Sequence, residues 1–348
     1  MMFPPTDELN VVVAGVPYGY QGDFSDGRWL TEQHIAQIEG VGPIVRLEHP
    51  SVHDLNNGYL VERKPHAVLV ETSGILKDWE SLPAILFEPA FRALLNPELR
   101  LVQSASAGVQ QIAPLIPEGV TLCNASGVHA PAIAETVIGS ILVHAKLLYR
   151  RREEQRARRW TQLPARELAG ATMCVLGTGH IGSAIARLAQ ALGIRTIGVR
   201  RNPGVTPGFD VVVGASGLDD ALTRADYLVI ACPLTPETEG LIDADRLARL
   251  PKGAYLVNVA RGAIVDEAAM IEAFRSGRLS GGFLDCHVRE PLPDDSPLWD
   301  IPGVDISPHD SHASNLLGDR QVELFCRNLK NLINGEPLIN VVDTTRGY

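Results

Sequence analysis

Two domains of parallel, doubly wound α/β architecture are predicted by this sequence, and three observations carry the prediction. The chain has 348 residues, more than one ordinary core accommodates. From residue 171 onward, short β-rich apolar runs alternate with segments of helical period. The first of these alternations turns through three closely spaced glycines, as a strand does when it feeds directly into a helix.

The elements follow in order. In the N-terminal part, "NVVVAGV" (10–16), "HAVLVE" (66–71) and "LRLVQSAS" (99–106) read as strands, with "TEQHIAQIEG" as a helix between them. Residues 124–151 read as a loop passing into one long helix, with Pro131 near its start, where a missing N–H does little harm. This segment marks the crossing to the second domain. There "ATMCVLG" (171–177), "RTIGV" (195–199), "FDVVVGA" (209–215), "DYLVIAC" (226–232) and "AYLVNVA" (254–260) are continuous apolar runs. Strands covered on both faces have that character. Between them "GSAIARLAQALG" and "DEAAMIEAFRSG" place apolar residues at helical spacing and end at glycine. The last helix, "LLGDRQVELFCRNLKNLING", is expected to return to the first domain.

Composition narrows the function. A net charge of −10 argues against a nucleic-acid partner held through its phosphates. The basic run "YRRREEQRARRW" (149–160) interleaves Arg with Glu, so on a helix it reads as a solvated face or a subunit contact. Five scattered cysteines, Cys123, Cys174, Cys232, Cys286 and Cys326, contain no CxxC pair and read as reduced thiols. The N-terminus carries acids and prolines before its first apolar run, unlike a signal peptide. No apolar stretch has the length needed to span a bilayer. The expectation is a soluble cytoplasmic protein with no membrane partner.

"LGTGHIG" (176–182) places Gly177, Gly179 and Gly182 in GxGxxG spacing between a strand and a helix. The first glycine permits the tight turn, the second lets a pyrophosphate approach the backbone, and the third packs helix on strand. Unpaired N–H groups at the helix start face the anion. About 20 residues further on, an NAD site presents an acid to the ribose 2′-hydroxyl. Here Arg200 and Arg201 stand in "GVRRNP". A guanidinium fork suits a 2′-phosphate and cannot accept from a hydroxyl. NADP(H) is therefore the preferred cofactor and NAD(H) a possible one; the competing reading is two surface arginines in a loop.

Three further residues suit hydride chemistry. Arg261, in "NVARGAIVDE", follows a strand and precedes a glycine, which gives its guanidinium room for an anion. Glu290 precedes Pro291 in "GGFLDCHVREPLP", so its backbone is expected to be extended; Asp285 lies at a strand end in the same segment. His309, in "SPHDSHAS", follows another short strand. Reduction of a 2-keto acid requires a hydride at carbon and a proton at the developing alkoxide. A histidine held by a carboxylate supplies the proton near neutral pH. A permanent cation grips the substrate carboxylate and polarises the carbonyl. His287, Asp310 and His312 lie close by in sequence, but no metal-ligand spacing accompanies them, and no metal is expected.

In this order, "LGTGHIGSAIARLAQALG", "CPLTPETEGLI", "LVNVARGAIVDE", "GGFLDCHVREPLP" and "SPHDS" resemble the D-isomer-specific 2-hydroxyacid dehydrogenases over nearly the whole second domain. In the first domain, "LVQSASAGVQ" and "NASGVHAPAIAE" are similar to the family's substrate loop and interdomain segment. The resemblance implies a Rossmann nucleotide-binding domain, residues 129–314, inserted into a flavodoxin-like substrate domain, residues 1–128 and 315–348, with the active site between them. It implies catalytic Arg261, Glu290 and His309, with Arg261 on the substrate, His309 as acid/base and Glu290 paired to His309. Gly179, His180 and Ile181 would line the pyrophosphate, Pro233 and Thr238 the adenosine half, and Asp285 and the Val259 backbone the nicotinamide. The Ala107 and Gly108 amides would meet the substrate carboxylate. A homodimer is implied, with the 140–165 region as a helical arm. Within the family, "GVRRNP" is similar to the NADPH-preferring glyoxylate/hydroxypyruvate reductases.

The sequence departs from the family pattern at Gln110, His287 and Asp310. The first two bear on packing or loop shape; Asp310, with His312, bears on the charge of the pocket and hence on substrate identity. Two other readings stay open: a non-catalytic nucleotide sensor resembling a corepressor, and the same fold oxidising another small anion such as phosphite.

Overall fold

The computed structural model describes residues 9–14, 30–42, 45–48, 65–70, 95–109 and 112–344. Gln110 lies outside the described residues. By contact the chain divides into two compact units, Met1–His129 with Ala313–Tyr348, and Ala130–His312.

The first unit holds five parallel strands, β1 (Leu9–Ala14), β2 (Val45–Glu48), β3 (Ala67–Val70), β4 (Leu101–Ser104) and β5 (Thr121–Cys123), in the order β2-β1-β3-β4-β5. This is the flavodoxin-like strand order. Alternate residues face opposite layers. Val12, Val68, Val70, Val102 and Leu122 form one core. Val11, Val13, Leu69 and Leu101 meet Phe325 and Leu329 of the long C-terminal helix in the other. Helix α1 (Glu32–Glu39) starts at Thr31, whose hydroxyl accepts from the His34 amide.

The second unit contains helices α2 (Ala130–Ala145) and α3 (Leu148–Arg156), followed by seven parallel strands. These are β6 (Thr172–Leu176), β7 (Arg195–Val199), β8 (Val211–Val213), β9 (Tyr227–Ile230), β10 (Ala254–Asn258), β11 (Leu279–Leu284) and β12 (Val304–Ile306). Their order is β12-β11-β10-β9-β6-β7-β8. The chain runs outward from β6 through β7 to β8, then returns to β9 and runs the other way. The crevice at the ends of β6 and β9 is thus a topological switch point, where ligands bind in such sheets.

The continuous apolar runs are explained by two covered faces. Cys174, Leu176, Leu228, Ile230 and Leu256 pack under helices α5 (Leu218–Thr223), α6 (Ala244–Arg249) and α7 (Glu267–Arg275). Met173, Val175, Val229, Tyr255 and Val257 pack under α2 and α4 (His180–Ala191). The last helix, α8 (Leu317–Asn334), belongs to the first unit and stops at Gly335 in the left-handed region. All five cysteines are free.

One element differs from expectation. The helix expected through residue 151 breaks after Ala145, and α3 leaves at 55°. Leu147 takes a left-handed φ of 53°. Tertiary bonds explain the break. The Arg166 amide donates to the Ala145 carbonyl, and Lys146 Nζ donates to the Arg166 carbonyl. Helix α3 ends at Arg156, so Trp160 lies beyond it with its side chain exposed.

Candidate active site

Every site residue anticipated in the second unit lies on a loop that leaves the C-terminal end of a strand, or in the first turn of the helix such a loop opens. The glycine turn follows β6. Gly177 has φ +98°, and a Cβ there would come within 2.6 Å of the Ala231 carbonyl oxygen. A Cβ on Gly182 would run into the Gly177 carbonyl oxygen, so this turn of α4 rests directly on the loop. Gly179 is the N-cap, and no side chain caps the helix. The first N–H groups of α4, including those of His180 and Ile181, therefore lack intrahelical partners. Gly179 and His180 are exposed. A turn with no room for a side chain at Gly177 and Gly182, open space over Gly179, and open amides at the start of a 12-residue helix fits a dinucleotide pyrophosphate.

Arg200 and Arg201 follow β7, and both are exposed. The Arg200 amide continues the pairing with β8 by donating to the Val213 carbonyl at 3.1 Å. Arg201 Nη2 lies 3.5 Å from Glu237 Oε2, with the two side chains 70% and 68% exposed, which makes this a weak pair. Glu237 sits on the loop after β9 with Pro233 and Thr238. Thr238 shapes that loop: its hydroxyl donates to the Pro233 carbonyl at 2.7 Å and accepts from the Thr235 amide.

After β10 the turn is fastened from below. Asn258, buried, donates through Nδ2 to the Arg261 carbonyl and accepts the Ala260 amide on Oδ1. Arg261 is left exposed, with Nη1 donating to the Ala260 carbonyl at 2.6 Å. The Val259 amide is engaged by the Ile230 carbonyl at 3.2 Å, so what Val259 can offer a ligand is its carbonyl. Gly262 has no room for a Cβ against the His287 and Val288 backbone. That contact fixes the loops after β10 and β11 to each other.

The loops after β11 and β12 bring Glu290 and His309 together, 19 residues apart in sequence. Nδ1 of His309 donates to Glu290 Oε2 at 2.9 Å, and Glu290 Oε1 accepts the His287 amide at 2.9 Å. The Glu290 bond lifts the His309 pKa above its ordinary value; burial and the Arg261 charge oppose it, and the charges of Glu290 and Asp285 assist. For Glu290, burial pushes upward, but the His309 and His287 bonds outweigh it and leave the carboxyl below its usual value. With Nδ1 on the carboxylate, Nε2 is the nitrogen left to address a reacting oxygen. The Glu290–Pro291 bond is cis.

Asp285, 2% exposed, accepts from the Ser307 hydroxyl at 2.7 Å and the Ser311 amide at 2.9 Å on Oδ1, and from the Ser311 hydroxyl on Oδ2. Sequence reasoning passed over Asn258, Ser307 and Ser311. The polar Asn258 within an apolar run was the available signal. His287 is buried, with Nε2 3.4 Å from the Ser307 carbonyl oxygen. His312 is held below its ordinary pKa chiefly by burial, with His309 adding and Asp285 and Asp310 opposing.

In the first unit, Ala107 and Gly108 follow β4 and are exposed. The loop is tied by Asn124, whose Nδ2 donates to the Ala107 carbonyl at 3.1 Å, and by the Ser106 amide on Ser104 Oγ. Among the described residues, neither the Ala107 nor the Gly108 amide donates to another group.

A family model described as "D-isomer specific 2-hydroxyacid dehydrogenase, NAD binding domain" matches residues 138–311, half of the chain. The chain belongs to the D-isomer specific 2-hydroxyacid dehydrogenase family. It is similar throughout to solved members. One is a family protein of Aeromonas salmonicida subsp. salmonicida, 28% identical, with a TM-score of 0.77, covering 97% of this chain and 100% of that one. Another, from Xanthobacter autotrophicus Py2 and solved with NADPH and MES, is 28% identical with a TM-score of 0.73 over 98% and 99%. An NADPH-dependent glyoxylate/hydroxypyruvate reductase of Sinorhizobium meliloti, solved with NADP and sulfate, is 27% identical with a TM-score of 0.73 over 98% and 100%. The resemblance read from the motifs is thereby established at the level of family, and so are two parallel-sheet α/β domains, one of them the Rossmann NAD-binding domain. The protein is an oxidoreductase of this dehydrogenase family, whose substrates are small hydroxy or keto acids.

Proposed function

We propose that this dehydrogenase reduces a small 2-keto acid to the D-2-hydroxy acid with NADPH as the preferred hydride donor, glyoxylate or hydroxypyruvate being the favoured substrates. The observation that carries the reading is the His309–Glu290 pair, at 2.9 Å, on the same sheet edge as Arg261 and the uncapped glycine turn. The narrower substrate choice rests on the tandem arginines and on the likeness to the Sinorhizobium reductase.

When bound, the nicotinamide supplies the hydride. The protein's own groups do the rest. Gly177, Gly179, His180, Ile181 and Gly182 hold the pyrophosphate; Arg200 and Arg201 face the 2′-phosphate; Pro233 and Thr238 flank the adenosine. The Val259 carbonyl and Asp285 border the nicotinamide. Arg261 grips the substrate carboxylate and polarises the carbonyl, and the Ala107 and Gly108 amides assist on the carboxylate. His309 delivers its Nε2 proton to the carbonyl oxygen as charge develops there, and Glu290 steadies the imidazolium beforehand. The first unit serves as the substrate-binding domain, the second as the nucleotide-binding domain, and the enzyme works as a cytoplasmic homodimer.

The test is NADPH oxidation against a panel of 2-keto acids, followed by chirality of the product. Turnover with glyoxylate or hydroxypyruvate and a D-configured product from the latter supports the reading. Tight NADPH binding without turnover of any acid overturns it. The glycine cradle gives a separate expectation. Gly182→Ala places a methyl group against the Gly177 carbonyl, so the loop must shift. NADPH affinity, measured by nucleotide fluorescence, is expected to fall by about tenfold or more, since a displaced amide loses a charge-assisted bond.

A further inference from the structure

We infer that Ser311 is a positioning residue for His309, pinning the histidine's turn to the buried carboxylate of Asp285. The inference rests on the proposed role of His309 as proton donor.

His309 has φ +57°, a left-handed conformation that a residue with a Cβ keeps only where its surroundings impose it. Two serines impose it, one on each side. Upstream, the Ser307 amide donates to the Leu284 carbonyl at 3.0 Å and its hydroxyl to Asp285 Oδ1 at 2.7 Å. Downstream, the Ser311 amide donates to Oδ1 at 2.9 Å and its hydroxyl to Oδ2 of the same carboxylate. Ser311 is 5% exposed and Asp285 2%. The Ser311 carbonyl in turn accepts from Thr136 Oγ1 on α2 at 3.1 Å. The carboxylate thus closes a loop of chain whose tip is the histidine.

The two serines are not equivalent. The Ser307 carbonyl also faces His287 Nε2, so the upstream side has a further contact. On the downstream side, the Ser311 hydroxyl is the donor that the described residues provide for Asp285 Oδ2. Removing it leaves a buried carboxylate oxygen without that bond, which a folded interior tolerates poorly. The turn then relaxes about Ser307, and the part that moves furthest is the ring, whose Nδ1 is tethered to Glu290 and whose Nε2 must meet the substrate. Glu290 and Asp285 after β11 and Arg261 after β10 act on His309, and in its own loop His309 and Asp310 act in turn on His312. A ring displaced in this way loses part of the Glu290 bond, the largest of the influences that raise the His309 pKa.

The experiment compares Ser311→Ala with Ser311→Thr, which restores a hydroxyl. In Ser311→Ala, kcat with the best 2-keto acid is expected to fall about tenfold or more, with the NADPH Kd within about twofold. The His309 titration, followed by imidazole NMR, is expected to move downward. Ser311→Thr is expected to recover most of both. If Ser311→Ala does not fold, Ser311→Cys, close in size to serine and a weak donor, carries the same expectations in lesser degree. An unchanged His309 titration and kcat in a folded variant overturns the inference, as does equal damage in the alanine and threonine variants. The NMR titration needs no turnover, so it judges the pin even if the wild-type protein reduces none of the acids and the proposed function fails.

Discussion

His309→Ala is expected to lower kcat for 2-keto acid reduction by about 10²–10⁴-fold while the NADPH Kd stays within about twofold. That range is what a positioned general acid contributes, and cofactor affinity survives because the glycine cradle and the arginines are on other loops. Steady-state kinetics and nucleotide titration measure the two quantities separately. Glu290→Gln extends the argument to pH. In the proposed mechanism reduction draws on protonated His309, so its rate is expected to fall as pH rises through the histidine's pKa. Glu290 holds that pKa above the ordinary value, chiefly through the 2.9 Å bond. The Gln variant loses the charge, so its rate is expected to fall at a lower pH than that of the wild type. The carboxyl itself sits below its usual value, so the pair persists in acid until pH falls through that lowered value. A pH profile of kcat that is unmoved by Glu290→Gln would show that the two residues do not act as a couple.

Arg200→Asp is expected to reverse the preference between NADPH and NADH. A guanidinium bonded to a phosphate is worth about 1.5–3 kcal/mol, so NADPH binding is expected to weaken roughly ten- to a hundredfold. The new carboxylate accepts from the ribose 2′-hydroxyl and favours NADH. Arg201→Ala is expected to do less. Its guanidinium already faces Glu237 at 3.5 Å, and an exposed pair of that kind contributes about 0–1 kcal/mol, no more than roughly fivefold. The ratio of kcat/KM for the two cofactors reads both variants. Unaltered discrimination in Arg200→Asp would mean that the tandem arginines are surface residues.

How far the sequence was legible depended on the range of the interaction. The glycine turn is a local signal, and the packing that makes it necessary, Gly182 on the Gly177 carbonyl, spans five residues. The apolar runs of the seven-stranded sheet were legible because helices cover both of its faces, leaving strands with almost no polar side. Strand ends could be located, so Arg261, Glu290 and His309 could be placed on loops. Ser311 was opaque because its partner is 26 residues away and nothing about a serine in a polar run announces a carboxylate above it. Asp285 was anticipated at the nicotinamide, while its grip on two serines needed coordinates. The break at Leu147 has no glycine or proline to betray it. It is set by Arg166, which no helical periodicity contains.

The two-way winding of the larger sheet has an engineering consequence. On the proposed assignment, the loop that chooses between phosphorylated and unphosphorylated cofactor leaves β7, on one flank of the central pair β6 and β9. The loops to which that assignment gives the reduction leave β10, β11 and β12, on the other. Cofactor economy and reaction chemistry therefore occupy separable modules, and a redesign confined to residues 200–203 can retarget the first while inheriting the second intact.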